Sequence, residues 1–290
     1  MLASIIITTY RRPNLVRRAI QSCVRQDFVG DYEIIVVDDN GAGSDMQSKT
    51  EAVVKSFEDI HYISLSKNSG ACIARNKGAA MAKGRYLFFL DDDDEFLFNK
   101  LQLQVSILEE NQYLDACLSG LRRYNTSSKS YITATSNFPE VGDLKNFILR
   151  GNFFTPMLCI RKDSFIKING FDDIERFQDR YFMIKALMNN LKVLCLNTES
   201  YIMYEHSDDR ISNRSPRKTL NALRKIKSLV LESKVDLAWQ ESYDYELKDL
   251  RKKMTAYYNS KNVIESLYFI KYYILIYIKK QYFNPTKRKH

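Results

Sequence analysis

Short apolar runs alternate with amphipathic stretches through the first third of the chain. Residues 4–9 are rich in β-branched side chains and predict a strand, and residues 14–25 repeat apolar positions at helical spacing. The same two patterns recur as strands at 32–37, 60–65 and 86–90 and as helices at 46–57 and 71–82. Strands that alternate with helices predict an α/β fold with a mainly parallel central sheet flanked by helices.

The pattern changes after residue 110. Further strands are predicted at 114–121, 129–135, 157–160, 193–196 and 200–204, and short helices at 143–150 and 181–188. From residue 216 onward the chain has basic helical segments and an aromatic, apolar run at 267–280. We therefore predict one domain over residues 1–213, built from the halves 1–110 and 111–213, followed by a basic, aromatic-rich helical tail over 214–290.

The predicted strand at 86–90 ends in five consecutive acids, Asp91 to Glu95. Adjacent like charges repel, so the pattern favours a nearby cation, and Mg²⁺ or Mn²⁺ prefers such oxygen ligands. The alternative is a solvated acidic turn that opens a helix. Polar clusters also follow the first two strands, at 8–10 and 38–39, and parallel sheets bind ligands at the carboxyl ends of their strands.

Charge is concentrated at the end of the chain. The formal net charge is +9, yet residues 214–290 hold 18 Lys and Arg against 7 Asp and Glu, a local excess of +11. Residues 1–213 therefore carry a net charge of −2. Because the carboxylate-rich part has no basic surplus, we expect no nucleic-acid partner.

Composition narrows the class of protein further. Hydrophobic residues make up 45% and charged residues 27% of the chain, which is typical of a folded globular protein. The five cysteines show no ligand spacing, so we expect reduced thiols in a cytoplasmic protein. The first apolar run follows no basic segment and predicts a strand rather than a signal peptide. Neither GxGxxG nor GxxxxGK[ST] occurs.

Several ordered motifs together carry a family resemblance. They are Ser4-Ile5-Ile6-Ile7-Thr8-Thr9-Tyr10, Val37-Asp38-Asp39-Asn40, Asn68-Ser69-Gly70, Ala74-Arg75-Asn76, Phe89-Leu90-Asp91-Asp92-Asp93-Asp94 and Gly170-Phe171-Asp172. Over about residues 3–210 this set resembles glycosyltransferase family 2, the inverting enzymes of the GT-A fold. The resemblance implies a nucleotide-sugar donor, with a UDP-sugar favoured, a Mg²⁺ or Mn²⁺ ion, and transfer to an acceptor hydroxyl with inversion. It also makes 1–110 the nucleotide-sugar half and 111–213 the acceptor half.

The resemblance also assigns residues to the donor site. We expect the nucleotide to bind Thr9, Tyr10, Arg12, Asp39, Asn68, Arg75, Asp91 and Asp92. The expected metal ligands are Asp91, Asp93 and His206, although Asp92 and Asp94 leave room for a one-residue slip. His206 could instead be a loop histidine that packs or caps. Asp38 is equally well explained as an acid satisfied by its own turn.

The expected catalytic base is Asp179. Displacement with inversion requires a carboxylate that takes the acceptor proton. The resemblance places a Glu-Asp pair at Gln178-Asp179, so the first acid is missing here and the role of Gln178 is open. Without the resemblance, Asp179 would be an acid at a helix N-terminus.

These observations lead to one functional hypothesis with two alternatives. The leading hypothesis is a glycosyltransferase that extends a lipid-linked saccharide for a bacterial surface polysaccharide, O-antigen or capsule. The alternatives are a nucleotide-sugar-binding or scaffold protein without turnover, and a nucleotidyltransferase. The run at 267–280 is too short to span a bilayer, and we expect it to bind an anionic membrane surface at the inner face of the cytoplasmic membrane. It could instead pack on the domain or form a homodimer contact.

Overall fold

The computed structural model describes residues 1–133, 137–205, 215–260 and 262–282. The strands in this part are β1 (Ala3–Thr9), β2 (Tyr32–Asp38), β3 (Ile60–Ser64), β4 (Tyr86–Asp91), β5 (Glu95–Phe96), β6 (Ala116–Asn125), β7 (Ser130–Ile132), β8 (Leu158–Arg161) and β9 (Val193–Glu205). The helices are α1 (Pro13–Val24), α2 (Asp45–Val54), α3 (Ala71–Met81), α4 (Lys100–Glu110), α5 (Leu144–Arg150), α6 (Lys162–Lys167), α7 (Gln178–Met188), α8 (Pro216–Glu232), α9 (Trp239–Asn259) and α10 (Val263–Tyr282).

All the strands belong to one sheet in the order β3-β2-β1-β4-β8-β6-β9-β5, with β7 paired to β6. The predicted α/β class is confirmed, and β3, β2, β1 and β4 are parallel as expected. The second half of the sheet is mixed, because β8 runs antiparallel to both β4 and β6, and β9 runs parallel to β6. Parallel order thus holds where strands and helices alternate in sequence.

Two strand predictions differ from the structure. The late strands at 193–196 and 200–204 are one continuous strand, β9, whose pairing with β6 shifts register between Leu118 and Leu121. This irregular register lets β9 bend, so that one strand pairs with both β6 and β5. The short β5 follows the acidic turn directly and α4 begins only at Lys100. The acids therefore do not open a helix, and that alternative is wrong.

Strands β1, β2 and β4 are buried on both faces, which explains their unbroken apolar sequences, whereas β3 at the edge of the sheet is only partly buried. Every residue of β1 is buried, and β4 is buried up to Asp91. Helix α3 lies close to this layer at Gly78, where an added Cβ would come within 2.5 Å of the Ile6 side chain. A glycine is needed there because a larger residue would push the helix off the strands.

The chain divides into two compact units. The first contains Met1–Val141, Asn152–Asp173 and Gln178–Ser207 and holds the whole sheet, and the second contains Gly142–Gly151, Ile174–Phe177 and Asp208–His290. An aromatic cluster in the first unit includes stacked rings of Phe171 and Phe182, whose centroids are 4.5 Å apart. The predicted boundary at residue 213 stays a prediction.

The second unit contains α5 and the three helices of the tail. Helices α9 and α10 pack together through the stacked rings of Tyr257 and Phe269 and an ion pair between Asp244 and Lys280. Exposed apolar residues on α10 include Ile264, Leu267, Ile274, Leu275 and Ile278. None of the helices in the described ranges combines the length and the apolar content needed to cross a membrane.

Candidate active site

The three polar clusters that follow β1, β2 and β4 lie side by side. Register pairs Thr8 of β1 with Asp91 of β4, and Thr9 of β1 with Asp38 of β2. All three strands run in the same direction, so their carboxyl ends form one edge of the sheet. This edge is the floor of the candidate site.

The acids after β4 alternate between buried and accessible positions. Asp92 and Asp94 are each 5% exposed, whereas the side chains of Asp91 and Asp93 are 37% and 22% exposed. Asp92 accepts hydrogen bonds from the Thr9 hydroxyl at 2.8 Å and from the Tyr10 N–H at 3.2 Å. The accessible pair is therefore Asp91 and Asp93, and their assignment to the metal stays a prediction.

Burial changes the protonation of the two inward-facing acids. It raises the pKa of Asp92 to about 7, and the neighbouring charge of Asp93 adds to the shift. Burial also raises the pKa of Asp94 well above its usual range, and Asp93 and Asp91 act in the same direction. The Asp94 carboxylate accepts the Tyr204 N–H at 3.0 Å, which ties β9 to the turn. Asp92 and Asp94 thus shape the turn from inside.

Arginines supply positive charge around the acidic turn. The Arg12 guanidinium donates to Asp92 at 3.1 Å and also to Asp93. Arg18 donates to the Asp93 carbonyl at 2.5 Å and pairs with Glu95 at 3.1 Å. The repulsion that the sequence places here is therefore offset by the protein's own cations. Arg18 was not among the predicted site residues, because its side chain reaches the turn from α1.

The turn also has the chemistry of a divalent metal site. Asp91 and Asp93 offer accessible carboxylate oxygens, the donors that Mg²⁺ and Mn²⁺ prefer, and these ions commonly keep waters and substrate phosphates as their other ligands. Within the described residues, no group of three His, Cys, Asp or Glu side chains could hold a metal. The metal assignment stays a prediction, and His206 lies outside the described residues.

The two acids after β2 play different parts. Asp38 is fully buried and accepts the Tyr62 hydroxyl at 2.7 Å and the Asn40 N–H at 2.8 Å, and burial raises its pKa. Its own turn and a neighbouring strand therefore satisfy it. The Asp39 carboxylate accepts the N–H groups of Ser69 and Gly70 at 2.6 and 2.8 Å. Asp39 thus fixes the loop before α3, where Gly70 has a φ of +90°.

Arg75 connects the acidic turn to the start of α7. It is 5% exposed, and it donates to Asp91 at 2.6 Å and to the Gln178 side-chain carbonyl at 2.7 Å. Its Nε is buried and makes no hydrogen bond within the described residues. Gln178 thus provides an oxygen for Arg75 even though the expected acid is missing. Since amide and carboxylate oxygens both accept hydrogen bonds, the contact survives the change of residue.

Asp179 is held in the first turn of α7 by Thr155. One carboxylate oxygen accepts the Thr155 N–H at 3.1 Å and the Thr155 hydroxyl. Burial raises the pKa of Asp179, while the nearby positive charge of Arg75 and the bonds from Thr155 lower it. The net effect is a carboxylate more basic than an ordinary aspartate, which suits a general base. Thr155 was not predicted, because its partner lies 24 residues away.

A reciprocal pair of hydrogen bonds positions the loop before α7. The Asn76 side chain donates to the Phe171 carbonyl at 2.7 Å and accepts the Phe171 N–H at 2.9 Å. The Arg75 guanidinium lies 5.5 Å from the centre of the Phe171 ring. The motifs Ala74-Arg75-Asn76 and Gly170-Phe171-Asp172 are therefore in direct contact, a link that their sequence positions do not reveal.

The structure places the predicted site residues in two groups, except His206, which is not among the described residues. Around the acidic turn and Arg75 lie Thr9, Tyr10, Arg12, Arg75, Asp91, Asp92, Asp93 and Asp179. Asp39 and Asn68 lie at the end of β2, where the Asn68 amide donates to the Asp39 carbonyl at 3.4 Å. The proposed ligand role of each residue stays a prediction.

The sheet, the acidic turn after β4 and the carboxylate on α7 define the GT-A class of fold. A crystal structure of Staphylococcus aureus TarS 1-349 in complex with UDP-GlcNAc has this fold, with a TM-score of 0.66 over 95% of this chain and 92% of that one, at 18% identity. The present chain belongs to glycosyl transferase family 2, whose family model matches residues 4–171.

Curated relatives agree with this membership. An uncharacterized glycosyltransferase of Haemophilus influenzae is 29% identical over 64% of this chain and 62% of its own length. The poly(ribitol-phosphate) β-N-acetylglucosaminyltransferase TarP of Staphylococcus aureus is 29% identical over 64% of this chain and 58% of its own length. The chain thus spans somewhat less than two thirds of these two relatives.

Proposed function

We propose that the protein is an inverting glycosyltransferase that transfers a sugar from a nucleotide-diphospho-sugar to an acceptor hydroxyl. The observation that carries the proposal is that Arg75 links the two kinds of carboxylate. It donates a hydrogen bond to Asp91 at 2.6 Å, and its positive charge acts on the carboxylate of Asp179. An accessible carboxylate pair for a metal and a separate basic carboxylate for the acceptor are the two parts that the reaction requires. UDP-GlcNAc in the TarS structure supports UDP as the donor nucleotide.

In the proposed reaction, Asp179 takes the proton of the acceptor hydroxyl as its oxygen attacks the anomeric carbon. The new C–O bond forms on one face of the sugar while the bond to the phosphate oxygen breaks on the other. The nucleoside diphosphate leaves with that bonding pair, so configuration inverts and no covalent intermediate with the protein is needed. Thr155 orients the Asp179 carboxylate through its N–H and hydroxyl.

Asp91 and Asp93 are the residues that would hold Mg²⁺ or Mn²⁺. Such an ion neutralises negative charge on the diphosphate leaving group. Arg75 adds charge stabilisation from the chain itself, and its buried Nε is a donor that its present partners leave unused. A buried, unsatisfied donor is costly unless an acceptor arrives, and a ligand oxygen is a suitable acceptor.

We also propose where the protein acts. The name of TarP, an enzyme that acts on a poly(ribitol-phosphate), supports a role in building a bacterial surface polymer, and we propose a lipid-linked saccharide as acceptor. Exposed apolar residues of α10, together with Lys271 and Lys279, favour binding of this helix to an anionic membrane surface. This would place the enzyme at the inner face of the cytoplasmic membrane.

Neither alternative hypothesis gains from the structure. Loss of turnover was suggested only by Gln178, which nevertheless keeps its contact with Arg75, and Asp179 remains supported by Thr155. Family membership favours sugar transfer over nucleotidyl transfer. Glycosyl transfer is therefore the function that the site supports best.

The test separates donor binding from transfer. UDP- and dTDP-sugars are screened for transfer or hydrolysis with Mn²⁺, and UDP is titrated by calorimetry with and without Mn²⁺ against the wild type and Asp93→Ala. We expect the Mn²⁺-dependent gain in UDP affinity to disappear in Asp93→Ala, because charge and coordination are lost together. Asp163→Ala, which removes an exposed acid from the first turn of α6, is the control. Unchanged metal dependence in Asp93→Ala would remove Asp93 from the metal site.

A further inference from the structure

A cleft lined mostly by polar and charged residues lies on the first unit between α1, β5 and β9. Its volume is about 770 Å³, within the range of pockets that bind small molecules. The residues that matter below are Gln21, Arg25, Phe98, Asn99, Arg122 and Thr198. None of them was predicted to bind the donor or the metal, so the cleft is not part of the site described above.

The cleft shares one wall with the acidic turn. Arg18 lines it, and the same side chain donates to the Asp93 carbonyl at 2.5 Å and covers the Tyr204 ring at 3.6 Å. Glu95 also lines it and accepts the Tyr204 hydroxyl at 2.7 Å. An occupant of the cleft would therefore lie one side chain away from the turn that carries Asp91 and Asp93.

Several polar groups of the cleft have unused hydrogen-bonding capacity. In the described ranges, the side chains of Gln21, Asn99 and Thr198 make no hydrogen bond with the chain. Amides and hydroxyls both donate and accept, so this set matches the mixed donors and acceptors of sugar hydroxyls. Phe98 at the rim is 64% exposed and offers an apolar face for the C–H face of a sugar ring.

The charges of the cleft favour an anionic group on its ligand. Arg122 pairs with Glu199 at 2.5 Å, and Arg18 pairs with Glu95 at 3.1 Å. Arg25, by contrast, is exposed and has no carboxylate partner within the described residues. Arg25 is thus the guanidinium of the cleft that no described carboxylate neutralises. A guanidinium binds carboxylate or phosphate through parallel hydrogen bonds.

We propose that this cleft binds a saccharide that carries an anionic group, with Phe98 against the sugar ring and Arg25 at the charge. On the proposed function, the ligand is an acidic residue of the acceptor polymer remote from the reacting hydroxyl, and that part of the assignment rests on the proposed function. The two glutamates of the cleft disfavour a nucleic-acid backbone, which carries a dense row of phosphates.

The test measures binding alone and uses defined probes. Ligand-observed NMR titrations of the full chain with D-glucuronate, D-glucose and inorganic phosphate are run with excess UDP, which is added to fill the proposed donor site. We expect D-glucuronate to bind more tightly than D-glucose or phosphate, because only glucuronate offers both a sugar ring to Phe98 and a carboxylate to Arg25. The variant Arg25→Gln should weaken glucuronate binding by about tenfold, the loss expected for a charge-assisted hydrogen bond.

Two further variants make the result decisive. Phe98→Ala should weaken D-glucuronate and D-glucose alike, whereas Arg85→Gln should change neither, since Arg85 is a similarly exposed arginine paired with Glu109 at 3.0 Å. Equal affinity for glucuronate and phosphate would mean an anion site without sugar recognition and would overturn the proposal. Unchanged glucuronate affinity in Arg25→Gln would do the same. Because the titrations measure binding and not transfer, their result would stand even if the protein proved not to transfer a sugar.

Discussion

Replacing Asp179 with asparagine should separate donor binding from chemistry. Asparagine keeps the oxygen that accepts the Thr155 N–H and hydroxyl, so the first turn of α7 should keep its place. What it loses is the ability to take a proton. We therefore expect nearly normal UDP affinity and a large loss of transfer.

The size of the loss follows from the role of the base. General base catalysis contributes about 10²- to 10⁴-fold, which corresponds to about 3 to 5 kcal/mol of transition-state free energy. Asp179 is well placed for this contribution, because burial raises its pKa while Thr155 fixes its orientation. Removing the carboxylate also leaves Arg75 with Asp91 as its hydrogen-bonded acid, so donor affinity should change much less than the rate.

The assay follows transfer with a donor and an acceptor found in the screen, and calorimetry follows UDP binding in parallel. Asp163→Asn is the matched control, since it neutralises an exposed acid in the first turn of another helix. Thermal unfolding of both variants checks that the fold is kept. Should a folded Asp179→Asn transfer sugar at the wild-type rate, Asp179 is only a helix-start acid and another group is the base.

Two other predictions concern the tail and the core. The double variant Leu267→Gln/Ile274→Gln changes exposed positions of α10 and should abolish sedimentation with anionic vesicles without lowering the unfolding temperature. If the full-length wild type does not sediment with such vesicles at low salt, the membrane role is wrong. Lys100 is fully buried and has no carboxylate partner in the part of the chain that the structure describes, and burial lowers its pKa from 10.5 to about 7. The unfolded chain therefore holds this proton more tightly than the folded chain. Between pH 7 and 9 the free energy of unfolding of the wild type should rise by about 1.4 kcal/mol per pH unit relative to Lys100→Met in urea titrations, whereas parallel pH profiles would show that folding leaves the pKa of Lys100 unshifted.

Local patterns in the sequence determined the parallel half of the fold. Alternating buried strands and amphipathic helices gave β1 to β4 and α1 to α3 to within a few residues, because each element is specified by its own short-range periodicity. The same patterns placed the polar clusters at strand ends, and the rule for parallel sheets brought those ends together. The acidic run at the end of β4 could therefore be recognised before any contact was known.

The tertiary structure decided everything that depends on distant partners. Thr155 meets Asp179, Arg75 meets Gln178, and Arg18 reaches the acidic turn only because loops and helices far apart in sequence fold over one sheet edge. It also decided which acids face outward, since Thr9 and Arg12 hold Asp92 inward and the Tyr204 N–H holds Asp94. A side chain's periodicity reveals the face it occupies, but its partner is set by chain packing, which short-range patterns do not encode.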